Sequence, residues 1–193
     1  ANTEGALKPK DAEGNPVQGG GRAVNWNQVH GVLQTETLAG KPYTMKSIYV
    51  SCSNPVVCQT ERQETLRVFE DVEFVVVQDM VFTETAKYAD ILLPACHWFE
   101  TTELAVMSRN VPYLVWQDKV IDPLYESKPD FEIYKLIAEK MGYGEFFDMD
   151  SEDFIKLWLD SDAARDLGIT FEKLKEEKAA RFLPGETYIS FEG

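Results

Sequence analysis

Two short apolar runs, Phe74-Val-Val-Val77 and Ile91-Leu-Leu93, are separated by a helix-sized interval, and Pro94 stops the second. Runs that are apolar at every position suit strands covered on both faces, as parallel sheets are, and they are too short for helices. Parallel neighbours need a crossover rather than a hairpin, and a strand-stopping proline fits the end of such a unit. The stretch therefore predicts strand, polar turn, short helix and second strand, with Thr83 able to cap a helix through Tyr88.

The same logic extends upstream. Ser47-Ile-Tyr-Val50 predicts a first strand that runs into Ser51-Cys-Ser-Asn-Pro55, a cluster of small hydrogen-bonding residues. Between Thr60 and Asp71, Leu66, Val68 and Phe69 form an apolar side opposite Glu61, Arg62, Glu64, Arg67 and Glu70, which predicts an amphipathic helix capped at Thr60 or a neighbour. An earlier helix from Asn25 carries Trp26, Val29, Val32 and Leu33 at helical spacing up to Gly40-Lys41-Pro42, with His30 a satisfied or solvent-facing member. Residues 1–24, rich in glycine and proline and poor in large apolar side chains, read as an arm or loop, and 25–193 as a single α/β domain.

Downstream, Tyr113 to Ile121 lies between Pro112 and Pro123 and reads as an extended or edge segment. Asp130 opens a helix with Phe131, Tyr134, Ile137 and Ala138 on one face and Gly142 as its stop, and two more helices follow, Ser151 to Asp160 and Thr170 to Lys178. Leu183-Pro184-Gly185 ends the ordered pattern. The fold class is α/β: a Rossmann-like, mostly parallel sheet flanked by helices, with a helical C-terminal part.

Composition narrows function. A formal charge of −14 and the lack of a basic stripe exclude a phosphate-backbone partner. No apolar run approaches the roughly 20 residues that span a bilayer, so no direct membrane insertion is expected. Three cysteines without a Cys-x-x-Cys, and two histidines far apart, give neither a disulfide framework nor a metal set, and no metal ligand is assigned. Cys96 and His97 are neighbours that point to opposite faces of an extended segment, and Glu100 and Glu103 read as a solvated strand-end loop. No catalytic residue is assigned.

Right-handed crossovers bring the C-terminal ends of all three strands to one edge of the sheet, where open α/β sheets bind ligands. Those ends are Ser51 to Asn54, Gln78 to Thr85 and Ala95 to Glu100. Asp79 stands where dinucleotide folds hold a ribose-gripping acid, but Gly-x-Gly-x-x-Gly is missing, and spacing alone leaves Asp79 as either such an acid or a turn aspartate.

Three segments add what periodicity does not: Ile48-Tyr-Val-Ser-Cys-Ser-Asn-Pro-Val56, Val68-Phe-Glu-Asp-Val-Glu-Phe-Val-Val-Val-Gln-Asp79 and Thr83-Glu-Thr-Ala-Lys-Tyr-Ala-Asp-Ile-Leu-Leu-Pro-Ala95. In order and spacing they resemble the molybdopterin oxidoreductase family, the dimethyl sulfoxide reductase superfamily. Val120 to Ala138, Met141-Gly142 and Gly168 to Leu174 extend the likeness over about residues 25 to 190. The resemblance implies a multidomain catalytic subunit that carries bis(molybdopterin guanine dinucleotide) around molybdenum or tungsten, with two related α/β domains each gripping one guanine dinucleotide. This chain resembles the contiguous domain in the middle.

Carried over residue by residue, Ser51, Cys52, Ser53, Asn54 and Pro55, with Gln78, Asp79, Thr83 and Thr85, line the dinucleotide end of one pterin. The family's iron–sulfur cysteines, metal-ligand region and barrel-like domain do not appear in the 193 residues. The expectation is a piece of a larger protein that is inactive and metal-free by itself. Its implied partners are the remaining domains, with iron–sulfur electron-transfer and membrane-anchor subunits. Glu100-Thr-Thr-Glu-Leu104 stands where many relatives have Glu-x-x-Gly-Thr, and with Pro112-Tyr-Leu it resembles the dimethyl sulfoxide and polysulfide reductase branch. The competing expectation is a stand-alone nucleotide-binding or protein-interaction module without redox activity.

Overall fold

A computed structural model describes residues 24–106 and 111–182. The arm read at 1–24, save its last residue, and the stop at Leu183-Pro184-Gly185 lie outside the described residues. The described chain divides into two compact units, one built from 24–96 with 125–133 and the other from His97–Leu124 with 134–182.

In the first unit, α1 (Trp26–Thr35) is capped by Asn25, whose side chain accepts from the Asn27 N–H. It ends earlier than its apolar spacing suggests, because Glu36 turns left-handed at φ 48° and the chain enters a small hairpin of β1 (Thr37–Leu38) and β2 (Lys41–Pro42). Gly40, at φ +73°, makes that turn. There follow β3 (Ser47–Ser51), the single turn α2 (Pro55–Cys58), α3 (Arg62–Asp71), β4 (Phe74–Asp79), a 3-10 helix at Thr85–Tyr88, and β5 (Ile91–Pro94). The N-cap of α3 is Glu61 without a side-chain cap bond, so Thr60 does not cap it.

The three strands form a parallel sheet in the order β3-β4-β5, with Tyr49 opposite Val76 and Val76 opposite Ile91. One face carries the core: Val50, Val75 and Val77 pack with Val56, Phe69, Val72 and Ala86, and with Trp26 and Leu66 at its margin. Val56, Val75 and Val77 are each about 1% exposed, and burying each side chain contributes about 1.5–3 kcal/mol. Both α1 and α3 are fixed on this face by polar contacts as well, the Trp26 indole donating to Thr65 Oγ1 at 2.9 Å. The other face takes the first turn of α4 (Asp130–Lys140) through Asp130, but Tyr49, Phe74 and Ile91 on it stay partly exposed.

His30 is buried between two acids, its Nδ1 2.7 Å from Glu64 Oε2 and its Nε2 2.9 Å from Asp71 Oδ2. The satisfied reading of this histidine holds, and the partners come from α3.

The second unit holds an antiparallel sheet, β6 (Glu103–Val106), β7 (Tyr113–Gln117) and β8 (Ala179–Arg181), with β7 in the middle rather than at an edge. Leu114 and Trp116 pack with Ile155, Leu159, Ala164, Ile169 and Leu174 from α5 (Ser151–Leu159), α6 (Asp162–Asp166), α7 (Phe171–Glu177) and their connections. Asp150, not Ser151, caps α5, while Thr170 caps α7 by accepting from the Lys173 N–H. Gly142, at φ +82°, follows α4 as its stop.

Glu100 corrects the expectation of a solvated loop. It is 4% exposed, and its carboxylate accepts from the His97 N–H at 2.8 Å and the Leu124 N–H at 3.1 Å. His97 caps the 3-10 helix Trp98–Glu100, its Nδ1 accepting from the Phe99 N–H. The residue is thus a structural anchor, missed because the Leu124 donor lies 24 positions away.

Candidate functional site

The register aligns the strand ends: Ser51 lies opposite Gln78, Gln78 opposite Leu93, and Asp79 opposite Pro94. All nine residues singled out at Ser51–Pro55, Gln78, Asp79, Thr83 and Thr85 therefore belong to or follow the C-terminal ends of β3 and β4. They differ in what their polar groups do.

The loop after β3 is held at entry and exit. At entry the Cys52 N–H donates to the Gln78 carbonyl at 3.3 Å, so the loop begins as a continuation of the sheet. Cys52 then turns left-handed at φ 50°, with its thiol exposed and 3.7 Å from the Ser51 hydroxyl. Ser53 is exposed, Asn54 half-buried, and Pro55 buried at the first position of α2, where its missing N–H leaves no donor unpaired. At exit, Asn54 Oδ1 accepts from both the Thr85 hydroxyl at 2.7 Å and the Thr85 N–H at 3.2 Å. Thr85 Oγ1 in turn accepts from the Val56 N–H at 3.1 Å.

Gln78 has no exposed surface. Its amide oxygen accepts from the Tyr49 hydroxyl, and its amide nitrogen donates to Asp130 Oδ1 at 2.6 Å. Both ends of this side chain are thus engaged within the protein. Tyr49 and Asp130 were not singled out from the sequence: Tyr49 reads only as a strand residue and Asp130 only as the start of a helix.

Asp79 is half-buried, and one oxygen accepts weakly from the Val81 N–H at 3.4 Å, the contact of an Asp-initiated turn. No lysine or arginine among the described residues pairs with it. Thr83 accepts from the Ala86 N–H at 3.2 Å, which keeps its capping role although the helix that follows is a 3-10 turn beginning at Thr85. Lys87, between β4 and β5 in sequence, and Lys128, bridged to Ala95 just past β5, are engaged with Glu84 at 2.6 Å and Glu132 at 3.2 Å.

Beside Asp79 opens a cavity of about 360 Å³, walled by Met80, Val81, Phe82, Leu92 and Pro94, with Glu126 also on its lining. Phe82 is 66% exposed and Leu92 46%. An apolar wall with carboxylates at its rim can hold a flat, aromatic, hydrogen-bond-donating group. Among the described residues no three His, Cys, Asp or Glu side chains gather in a way that could hold a metal ion, and no helix is long and apolar enough to cross a membrane.

Known proteins share sequence and fold with this chain. The chain is 32% identical over 144 residues to the molybdopterin-containing thiosulfate reductase protein PhsA of Salmonella typhimurium, covering 71% of this chain and 19% of that protein. It is 32% identical over 149 residues to the catalytic chain of an assigned dimethyl sulfoxide reductase of Halobacterium salinarum, covering 72% of this chain and 18% of that one. Among solved structures, acetylene hydratase from Pelobacter acetylenicus shares the fold with a TM-score of 0.66 at 24% identity, over 86% of this chain and 22% of that one. The chain spans about a fifth of the length of the curated relatives it matches. The model of the molybdopterin oxidoreductase family matches residues 12–140, and the chain belongs to that family.

Proposed function

We propose that this chain is the central α/β piece of a molybdenum- or tungsten-dependent oxidoreductase whose cofactor is bis(molybdopterin guanine dinucleotide), and that it grips the guanine dinucleotide end of one pterin. Family membership carries the pterin cofactor with molybdenum or tungsten. The guanine dinucleotide grip rests on one observation: the Ser51–Pro55 loop, Asp79 and the Phe82–Leu92 cavity stand together at the C-terminal edge of one parallel sheet.

The residues present fit such a group. Guanine offers N–H donors on one edge and a flat face; a carboxylate and an apolar wall are their complements. The loop supplies backbone N–H groups and hydroxyls for phosphate oxygens, which suits a site whose neighbouring lysines are already paired. Thr83, at the start of the turn after Phe82, joins the proposed contacts.

The metal, its ligands and the entry of electrons belong to the remaining domains of a larger protein and to its partners, an iron–sulfur protein and a membrane anchor. The chain alone is inactive. Glu100-Thr-Thr-Glu-Leu104 and Pro112-Tyr-Leu114 support placing the enzyme in the dimethyl sulfoxide and polysulfide reductase branch.

Titration of the chain with guanosine diphosphate, followed by amide chemical shifts, tests the reading. Only part of the cofactor and one of its protein walls are present, so the expected affinity is millimolar, about −4 kcal/mol. Asp79→Ala should weaken it by about 1–3 kcal/mol, the range for losing a charged hydrogen-bond partner, and His97→Ala should leave it unchanged. Shifts confined to the opposite edge of the sheet would overturn the assignment.

A further inference from the structure

Thr85 combines complete burial with a hydroxyl that both donates and accepts inside the protein. It has no exposed surface, its hydroxyl hydrogen goes to Asn54 Oδ1 at 2.7 Å, and its oxygen receives the Val56 N–H at 3.1 Å. A threonine so engaged has little left to offer a ligand. It stands instead across 31 residues of sequence from the loop that it holds.

The loop needs such a hold. Asn54, the residue before α2, makes no side-chain cap bond to its own helix. A helix start leaves N–H groups unpaired, and each left buried without an acceptor is unfavourable. Pro55 has no N–H, and the Val57 and Cys58 N–H groups bond to the Asn54 carbonyl at 3.0 and 2.9 Å. That leaves Val56, and Thr85 supplies its acceptor from the far side of β4 in sequence. The same hydroxyl orients the Asn54 side chain, which would otherwise bond to its own turn. The Cys52 anchor on Gln78 and the Thr85 anchor on Asn54 flank Ser53, so the left-handed turn at Cys52 is fixed from both sides.

We infer that Thr85 is a positioning residue: it sets the conformation of the Ser51–Pro55 loop from beneath and does not touch the ligand that the loop receives. The ligand part of this inference rests on the dinucleotide reading above; the loop part does not.

The test separates the two. Thr85→Val keeps shape and burial but removes the donor and the acceptor, whereas Thr85→Ser keeps both. Thermal unfolding of the 193-residue chain and of both variants establishes that each is folded. Amide hydrogen exchange is then read at Val56 and the Cys52–Asn54 loop without ligand. In Thr85→Val, exchange there should accelerate about tenfold or more, as expected for losing a buried bond, while α3 and β7 keep wild-type rates. Thr85→Ser should restore the loop to within about threefold. Unchanged loop exchange in a folded Thr85→Val would overturn the inference.

Guanosine diphosphate is the second readout. Thr85→Val should weaken it about as much as it loosens the loop, while Asp79→Ala should weaken it with loop exchange unaltered. Failure of the wild-type chain to bind this probe would sink the dinucleotide reading and leave the exchange result to decide the role of Thr85 in the loop. If Thr85→Ser rescues the loop but not binding in a chain that does bind, Thr85 contacts the ligand and the inference is wrong. Should Thr85→Val not fold, Asn54→Ala, which removes the acceptor of the Thr85 hydroxyl and N–H but leaves the Val56 bond, is read in its place: exchange over Cys52–Asn54 should accelerate, and unchanged loop exchange would overturn the inference.

Discussion

The side-chain nitrogen of Gln78 lies 2.6 Å from Asp130 Oδ1, joining the end of β4 to the start of α4 across 52 residues of chain. Gln78 has no exposed surface, so its amide cannot turn to water when its partner is lost, whereas Asp130 is only half-buried. Gln78→Leu is expected to destabilise the fold by about 1 kcal/mol or more in urea titrations, since it removes the hydrogen bonds to Tyr49 and Asp130. Gln78→Glu sets a second carboxylate against Asp130. It should be worse than Gln78→Leu at pH 7.

Two acids on α3 hold one ring on α1: His30 meets Glu64 and Asp71. The carboxylates are 38% and 50% exposed, so solvent weakens each contact. His30→Ala should cost about 1–2 kcal/mol. A double-mutant cycle with Glu64→Gln should show coupling of roughly 0.5–1 kcal/mol, with additivity as the outcome that denies a shared contact.

Asp118 gives a pH dependence whose sign is fixed. Hydrogen bonds from Lys178 Nζ and then from the Trp116 indole hold its carboxyl below the usual aspartate range, with the Lys178 charge adding to them. A group whose folded pKa is depressed contributes stability that is present above its unfolded value, about 3.9, and lost as pH falls through the folded value. The melting-temperature gap between wild type and Asp118→Asn should therefore be widest near neutrality and close in strong acid. A gap that grows on acidification would contradict the assignment.

Cys52 occupies a left-handed backbone at φ 50°, a conformation that disfavours side chains. Cys52→Gly should stabilise the chain by about 0.5–1 kcal/mol, while the β-branched Cys52→Val should destabilise it by about 1 kcal/mol or more. Equal melting temperatures for all three would mean that the turn relaxes.

What the sequence made legible was whatever a local pattern encodes. The parallel strands end within two residues of their expected limits, because runs such as Phe74 to Val77 admit no helical period and Pro94 blocks extension. The expectation of a parallel sheet flanked by helices holds. The Thr83 cap survives even though a 3-10 turn replaces the short helix. Strands with no such pattern escaped notice: β8 is three residues, and β6 begins at Glu103, a residue that reads as loop. The small hairpin at Thr37–Pro42 hid behind the helical spacing of α1.

Partners across long separations were illegible for a different reason. His30 and Asp71 stand 41 positions apart, Gln78 and Asp130 52, and composition says nothing about which acid meets which donor. At the candidate site, the cluster of Ser51–Pro55 with Asp79 could be read because strand ends in a parallel sheet share an edge. The division of labour among those residues could not, since Thr85 and Asp79 look equally available in one dimension.

Parallel pairing also gives the site a history. Ser51 finds its opposite number only when Gln78 exists, Asn54 waits for Thr85, and Gln78 waits for Asp130. On a ribosome adding about 5–20 residues per second, the loop that follows β3 emerges seconds before its last tie can form. During that interval the loop lacks the ties that fix its geometry, so this edge of the sheet matures at a time set by translation speed, and slow codons after Asp130 would give it time to close.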